Sequence, residues 1–129
     1  MKILLTLFVF FFASSVVARD VVFKCNTKTY DKNPENYNFD VMENRIFLVT
    51  VNSNNNKIFL ENISKSQKDK FPFHILVNNE NYILGAGDFS SEDFIWNDMI
   101  TFDKRNNYFS LMSYVNSRYT IHRGNCRVQ

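Results

Sequence analysis

The two histidines and the two cysteines are the side chains of this chain with the widest chemical range. His74 and His122 stand in separate apolar segments, and neither a Cys-x-x-Cys spacing nor a third ligand accompanies Cys25 and Cys126. Because a protein metal site needs several such ligands around one ion, this pattern predicts no metal and no cofactor. We expect His74 to face solvent from its strand.

The serines and carboxylates form no recognisable catalytic set. No Gly-x-Ser-x-Gly segment is present, and Ser90, Ser91 and Ser110 have no base nearby in the sequence. Carboxylates such as Glu92 and Asp98 are spaced like those of an ordinary solvated surface. We therefore predict no catalytic residue and no enzyme. A hydrolase would require the fold to bring a histidine, a carboxylate and a hydroxyl into one pocket.

Two short segments resemble ligand loops without completing them. DKNPEN (31–36) begins like a calcium loop, but it has asparagine where the loop needs glycine and lacks the closing glutamate. GAGD (85–88) has two glycines but no clear helix after it to present a phosphate site. We predict a turn for the first segment and a bend for the second.

The first 18 residues have the layout of a secretory signal peptide. Lys2 precedes an apolar run from Ile3 to Ala13, and small residues lead to Ala18. A transmembrane anchor is the alternative, but this run is shorter than the roughly 20 apolar residues that span a bilayer. We expect cleavage after Ala18, a secreted or periplasmic protein, and no membrane span in the mature domain at 19–129.

The length and charge of the mature chain limit the classes of protein. Cleavage leaves 111 of the 129 residues and, by removing Lys2, lowers the formal net charge from +2 to +1. This length suits one domain with one core. A nearly neutral chain without a basic stripe is not typical of nucleic-acid binding, so we predict no nucleic-acid partner.

Export favours a disulfide between Cys25 and Cys126, because oxidising compartments preserve such bonds. A free thiol pair and a metal site are the alternatives. The bridge would join the two ends of the domain and make the first and last strands neighbours. For a loop of about 100 residues, the chain-entropy estimate of its stabilisation is roughly 4.7 kcal/mol.

The segments that must position the candidate functional side chains are short apolar runs. They are rich in β-branched and aromatic residues, which is typical of β-strands. The candidate strands are residues 20–25, 37–43, 45–52, 57–63, 71–77, 81–85, 98–103, 107–115 and 118–123. Asparagine-rich segments separate many of them, and asparagine tolerates the left-handed conformation that turns often need. We predict an all-β fold: an antiparallel meander of about eight strands, forming a small barrel, with a two-sheet sandwich as the alternative.

The segment FSSEDFIWND (89–98) departs from the strand pattern. Ser90 and Asp93 have the spacing of a helix cap, so a short helix at 91–97 and an ordinary loop are equal alternatives. Trp96 is the only tryptophan. We expect it to fill part of the core, with an exposed anchor as the alternative.

The strand at 107–115 is apolar on both faces. One face carries Phe109, Leu111 and Val115, and we expect it to be core. The intervening residues form the second face, which we expect to be partly exposed. The second face and the neighbouring segment 85–97 supply a candidate binding surface. Its residues are Tyr108, Met112, Tyr114, Trp96 and Asp88.

The C-terminal third resembles the closing hairpin of small exported bacterial β-proteins, in the segments MITFDKRNNYFSLMSY and GNCRV. With an early Cys25, Gly124 and a late Cys126, the chain is loosely similar to the periplasmic inhibitors of chicken-type lysozyme. That resemblance implies a small β-barrel and inhibition of an enzyme. The Ser-Gly-x-x-Tyr loop on which those inhibitors rely is not found here, and only the segment 85–91 offers glycine and serine.

These observations favour a binding module, with inhibition of a foreign or host enzyme as one form of it. Its partner would be an unidentified protein or small ligand, and we expect a monomer. The alternative is a structural or envelope-associated protein that self-assembles through its apolar outer faces. Asn62-Ile63-Ser64 is a glycosylation acceptor in form, which matters only in a eukaryotic source.

Overall fold

A computed structural model describes residues 19–32, 39–64, 70–90 and 92–129. The expected signal peptide (1–18) and most of the DKNPEN segment lie outside the described residues. The eight strands are β1 (Val21–Lys32), β2 (Phe39–Asn52), β3 (Lys57–Asn62), β4 (Lys70–Asn78), β5 (Tyr82–Asp88), β6 (Trp96–Asp103), β7 (Tyr108–Val115) and β8 (Arg118–Val128).

The strands form one closed antiparallel barrel. Each strand pairs with the next along the chain, and β8 pairs with β1 to complete the circle. This confirms the predicted all-β barrel and excludes the two-sheet sandwich. Closure leaves no strand edge unpaired, which suits a short meander of this kind.

The eight strands agree with the predicted number of about eight, but several strand bounds differ from those of the nine candidate segments. In the described residues, the candidates at 37–43 and 45–52 belong to one strand, β2, which begins at Phe39 and continues beside β1 through a register shift between Thr29 and Tyr30. Strands β1 and β8 both extend beyond their predicted ends, because they pair with each other from Phe23 opposite Val128 to Lys32 opposite Tyr119. The β-bulge between β1 and β2 and the long ladder between β1 and β8 thus keep these strands continuous where local polar residues predicted breaks.

The segment between β5 and β6 is a loop and not a helix, as far as the structure describes it. The backbone amide of Phe89 donates to the carbonyl of Trp96 at 3.0 Å, which continues the β5–β6 ladder. The Ser90 hydroxyl accepts from the amide of Trp96, also at 3.0 Å. Residues 85–88, for which we predicted a bend, lie within β5.

Asparagine takes the place of glycine in the turns, as the sequence indicated. The non-glycine residues with positive φ are Asn56, Asn107, Asn116 and Ser117. Among the described glycines, none has positive φ. The left-handed turn positions are therefore held mainly by asparagine, which accepts this conformation more readily than most residues do.

Alternate residues of every strand point into the barrel and form a single core. Its largest fully buried side chains include Phe73, Phe102, Phe109 and Ile58. Cys25 and Cys126 lie opposite each other on β1 and β8 and form the predicted disulfide, with a sequence separation of 101. The bridge joins the two strands at which the barrel closes.

Candidate functional site

The interior of the barrel changes from apolar to polar along the strands. The end that carries the β2–β3, β4–β5 and β6–β7 turns is filled by phenylalanine, isoleucine and valine. Towards the other end, polar residues take many of the inward positions. They include Thr27, Thr29, Arg45, Asn62, Asp98, Ser113 and His122. We call these the apolar end and the polar end of the barrel.

The polar end contains a cavity of about 350 Å³, here called the Trp96 cavity. Its apolar wall is made by Phe47, Leu60, Phe71 and Leu111, and its polar wall by Arg45, Asn62, Trp96, Asp98, Ser113 and His122. An eight-stranded barrel is wide enough to hold one small ligand, and this volume is in the range of small-molecule sites.

Asp98 is the carboxylate that lines the Trp96 cavity, and only 8% of its surface is exposed. Its Oδ1 accepts hydrogen bonds from Trp96 Nε1 at 2.8 Å and from Ser113 Oγ at 2.5 Å. Within the part of the chain that the structure describes, Oδ2 accepts no hydrogen bond. The carboxylate therefore has one engaged oxygen and one open oxygen.

Burial raises the pKa of Asp98 above its ordinary value of 3.8, although the hydrogen bonds from Ser113 and Trp96 act to lower it. A raised folded-state pKa means that the folded state binds this proton more tightly than the unfolded state does. The contribution of Asp98 to stability is thus most favourable below pH 3.8 and is lost as the pH rises through the raised pKa.

Arg45 brings a positive charge to the same cavity, but that charge already has a partner. Its guanidinium forms an ion pair with Glu43, which lies on the exposed side of the rim. The hydroxyl of Thr27 donates to the Arg45 carbonyl at 3.0 Å and ties the backbone of β2 to β1. The cation is therefore compensated at the rim.

His122 is a buried member of the cavity wall. Its Nδ1 lies 2.8 Å from the hydroxyl of Thr29, and its ring meets the Phe47 ring edge to face, with centroids 5.3 Å apart. Only 2% of Thr29 is exposed. The imidazole is thus held in place from two sides, while His74 is exposed on β4 as predicted.

Trp96 belongs to an aromatic cluster, of which Phe71 and Trp96 itself line the cavity. Its ring centroid lies 5.7 Å from Phe71, 5.3 Å from Phe89 and 6.2 Å from Phe94. The side chain is half-buried, and its polar edge is turned to Asp98 and Ser113. Trp96 therefore lines the cavity instead of being sealed in the core, and it is not an exposed anchor either.

The other residues of the predicted binding surface lie elsewhere. Tyr108 and Met112 are on the outer face of β7, with 38% and 40% of their surfaces exposed. Tyr114 shares that face, and its ring packs against Tyr119 of β8 with centroids 4.7 Å apart. The backbone of Asp88 pairs with Asn97 in the β5–β6 ladder. The barrel wall separates Trp96 from the tyrosines and Met112.

Sequence reasoning missed most of the cavity residues, and it assigned Asp98 to a solvated surface. That assignment is wrong because Asp98 is two residues from Ile100 and therefore shares its inward face. The same alternation places Ser113 beside Leu111 on β7. Alternation was the signal that could have found these polar positions, had it been followed past the apolar residues.

A second cavity of about 310 Å³ lies at the apolar end, and we call it the Lys104 cavity. Phe23, Val51, Ile83 and Phe102 contribute its apolar lining. The ammonium group of Lys104 donates to Asn78 Oδ1 at 2.6 Å and also to the carbonyl of Asn79. Its cation is thus held by turn residues, and buried polar groups do not converge on this cavity as they do on the other.

Three further features concern metals, membrane-spanning helices and the glycosylation acceptor. In the described ranges, no group of three or more His, Cys, Asp or Glu side chains is placed to hold a metal ion. Across those same residues, no helix has the length and apolar character needed to cross a bilayer. Asn62 lines the Trp96 cavity, and its Oδ1 accepts from the amide of Ser64 at 3.1 Å.

The fold and the cavity together define a class: an eight-stranded up-and-down β-barrel with a partly polar internal cavity at one end. Comparison with models of known families, with curated proteins and with solved structures found no match to the chain. The likeness to lysozyme inhibitors that the sequence suggested stays a prediction.

Proposed function

We propose that the protein is an exported binding module that holds one small molecule in the Trp96 cavity. The observation that carries this proposal is the convergence of Asp98, Ser113, His122 and Arg45 on a cavity with apolar walls. Burying polar groups costs free energy unless they are satisfied, so a barrel needing only stability would gain by filling this space with apolar side chains. A few converging polar groups in an apolar pocket are typical of ligand recognition.

Two observations support export as part of this proposal. The first 18 residues have the layout of a signal peptide. The Cys25–Cys126 disulfide is compatible with an oxidising location outside the cytosol. A binding protein exposed to such surroundings benefits from a covalent link at the seam where its barrel closes.

The hydrolase hypothesis required a histidine, a carboxylate and a hydroxyl in one pocket, and His122, Asp98 and Ser113 do line one cavity. However, the Ser113 hydroxyl donates to Asp98, and the hydroxyl beside His122 belongs to the buried Thr29. A nucleophile needs access to its substrate and a base to activate it. These contacts favour binding over nucleophilic attack.

Inhibition of another protein is a narrower form of the binding hypothesis. The segment that the sequence offered for an inhibitory loop, 85–91, begins within a strand, because β5 ends only at Asp88, and β6 begins at Trp96. The loop between them is therefore shorter than expected, and its Phe89 and Phe94 pack against Trp96. This packing supports a role for the loop in holding Trp96, which lines the cavity.

Binding of the neutral apolar dye N-phenylnaphthylamine tests the proposed function. We expect the dye to bind in the Trp96 cavity and to quench the fluorescence of Trp96, the only tryptophan. Leu111→Phe adds bulk to the wall and should weaken dye binding by about tenfold, or about 1.4 kcal/mol. Thr101→Phe, on the exposed outer face of β6, is the control and should leave the affinity unchanged.

Leu111→Phe also distinguishes the two cavities. Leu111 lines the Trp96 cavity, whereas the lining of the Lys104 cavity comes from other residues. A dye that binds equally well to the native protein and to Leu111→Phe would occupy another place. Absence of any saturable dye binding by the native protein would contradict the proposal directly.

Self-assembly is the alternative function, and the outer surface is where it would act. Met99, Met112 and Ile121 are register neighbours on the outer faces of β6, β7 and β8 and form an apolar row. Patches of this kind often mark contacts with other proteins. We nevertheless expect a monomer at micromolar concentration on a calibrated sizing column. A stable oligomer that Met112→Lys dissolves would favour the structural alternative.

A further inference from the structure

The charges around the Trp96 cavity are not balanced. Arg45 has Glu43 as its counter-ion, while the partners of Asp98 are the neutral donors Trp96 and Ser113. A buried carboxylate is stable in its charged form when a cation and hydrogen bonds compensate its lost hydration. Asp98 has the hydrogen bonds but lacks a cationic partner among the described residues.

The open oxygen of Asp98 gives such a cation a place. More than nine tenths of the residue is buried, and both of its hydrogen bonds go to Oδ1. Oδ2 keeps its full acceptor capacity within a group that lines the cavity. An ammonium group at Oδ2 would donate a charge-assisted hydrogen bond, which is stronger than a bond between neutral groups.

The surrounding rings suit a cation as well. Phe71 and Trp96 line the cavity with ring centroids 5.7 Å apart, and Phe47 lines the same cavity. The face of an aromatic ring attracts a cation, and the attraction increases when the site is desolvated. The cavity therefore combines one buried carboxylate with several aromatic rings.

We propose that the molecule bound in the Trp96 cavity is an organic amine, with its ammonium group on Asp98 and its apolar body against Phe47, Leu60 and Leu111. This inference rests on the proposed function, because it specifies the chemistry of the same cavity. The bound ammonium supplies the counter-charge that Asp98 lacks. Arg45, held by Glu43, stays at the rim and leaves the carboxylate to the ligand.

Calorimetric titration of the native protein at pH 7 with two molecules of nearly equal shape tests the proposal. Phenethylamine carries an ammonium group, and phenethyl alcohol carries a neutral hydroxyl in its place. We expect the amine to bind at least about tenfold more tightly than the alcohol, because it alone forms an ion pair. Phenylpropionate, an anion of similar size, should bind most weakly.

Two variants test whether the preference for the amine over the alcohol depends on Asp98. Asp98→Asn retains an acceptor for Trp96 and Ser113 but removes the negative charge, so the amine should lose its advantage over the alcohol. Asp103→Asn makes the same chemical change on the same strand, at the turn where Asp103 accepts from Arg105 and Asn106, and should keep the preference. Equal loss in both variants would overturn the assignment to Asp98.

The pH dependence of amine binding to the native protein tests the proposal without a variant. The groups facing Asp98 are Ser113 on β7, Gly87 opposite it on β5, and Arg45 and His122 across the cavity. Amine affinity should rise as the pH increases through the raised pKa of Asp98, because the carboxylate then ionises. Affinity that is flat or falls over this range would overturn the proposal, even if Asp98→Asn does not fold.

The outcomes distinguish a failure of the amine assignment from a failure of the proposed cavity binding. Amine and alcohol binding with equal affinity would overturn the amine assignment while leaving cavity binding in place. Failure of the amine to bind while N-phenylnaphthylamine binds would have the same meaning. If neither the dye nor any of the three small molecules binds, the proposed function itself is wrong.

Discussion

Replacing Cys25 and Cys126 together by serine is expected to lower the free energy of unfolding by about 3 to 5 kcal/mol. The bridge spans 101 residues of sequence and so removes a large closure entropy from the unfolded chain. It also lies at the seam where β8 meets β1, the pairing of longest sequence range in the barrel. Without it, this seam must close against the entropy of nearly the whole chain.

Urea unfolding, followed by Trp96 fluorescence and far-ultraviolet circular dichroism, measures the effect. The unfolding midpoint should fall, and the slope of free energy against urea should rise because the unbridged unfolded chain exposes more surface. The matched control is Lys24→Ser with Arg127→Ser, the next register pair along the same two strands. Its cost should be small, as for most surface changes. Equal midpoints for the cysteine variant and the native protein would refute the role of the bridge.

Gly124→Ala is expected to destabilise the same seam by roughly 3 kcal/mol, at the upper end of the usual range for overpacking. An added Cβ would lie 1.8 Å from the carbonyl oxygen of Asn26 and 2.8 Å from its carbonyl carbon. These are backbone atoms of β1, so no side chain can move to make room. The ladder between β1 and β8 must shift, next to the disulfide.

Gly85→Ala is the matched control for this prediction. A Cβ at Gly85 would meet the Cδ1 atom of Ile58 at 2.8 Å, which is the far end of a flexible side chain, and the carbonyl oxygen of His74 at 3.3 Å, a much milder backbone contact than those at Gly124. Repacking of Ile58 should limit the cost to about 1 kcal/mol. Thermal unfolding of both variants gives the comparison. If Gly124→Ala lowers the free energy of unfolding no more than Gly85→Ala does, the close approach of the β1 and β8 backbones is wrong.

Much of the architecture followed from local patterns. Alternating apolar residues in β7 predicted an inward face with Phe109 and Leu111 buried, and the structure has this arrangement. Asparagine at positions 56, 107 and 116 occupies left-handed turn positions, as expected in a chain with only three glycines. These features depend on neighbouring residues, and for that reason a linear reading predicted them.

The predictions that were wrong concern segments whose structure depends on pairing with, or packing against, distant strands. The apparent break near residue 44 is absent because β1 continues to pair with β2 there, including Lys28 opposite Asn44. The glycines of β5 suggested a bend, but Gly85 and Gly87 both face the interior, where Ile58, Phe73 and Phe89 leave little room for a side chain. Neither constraint is visible within the segment itself.

The sequence by itself determined the class of fold, the turn chemistry and the pairing of the two cysteines, because these depend on residue alternation, on local backbone preference and on there being only two thiols. Closure of the barrel determined which residues form the candidate site. It placed Asp98, Ser113, Arg45 and His122 on one cavity, although they come from four different strands. Which polar residues converge depends on the register of long-range ladders, and a linear pattern carries little information about that register.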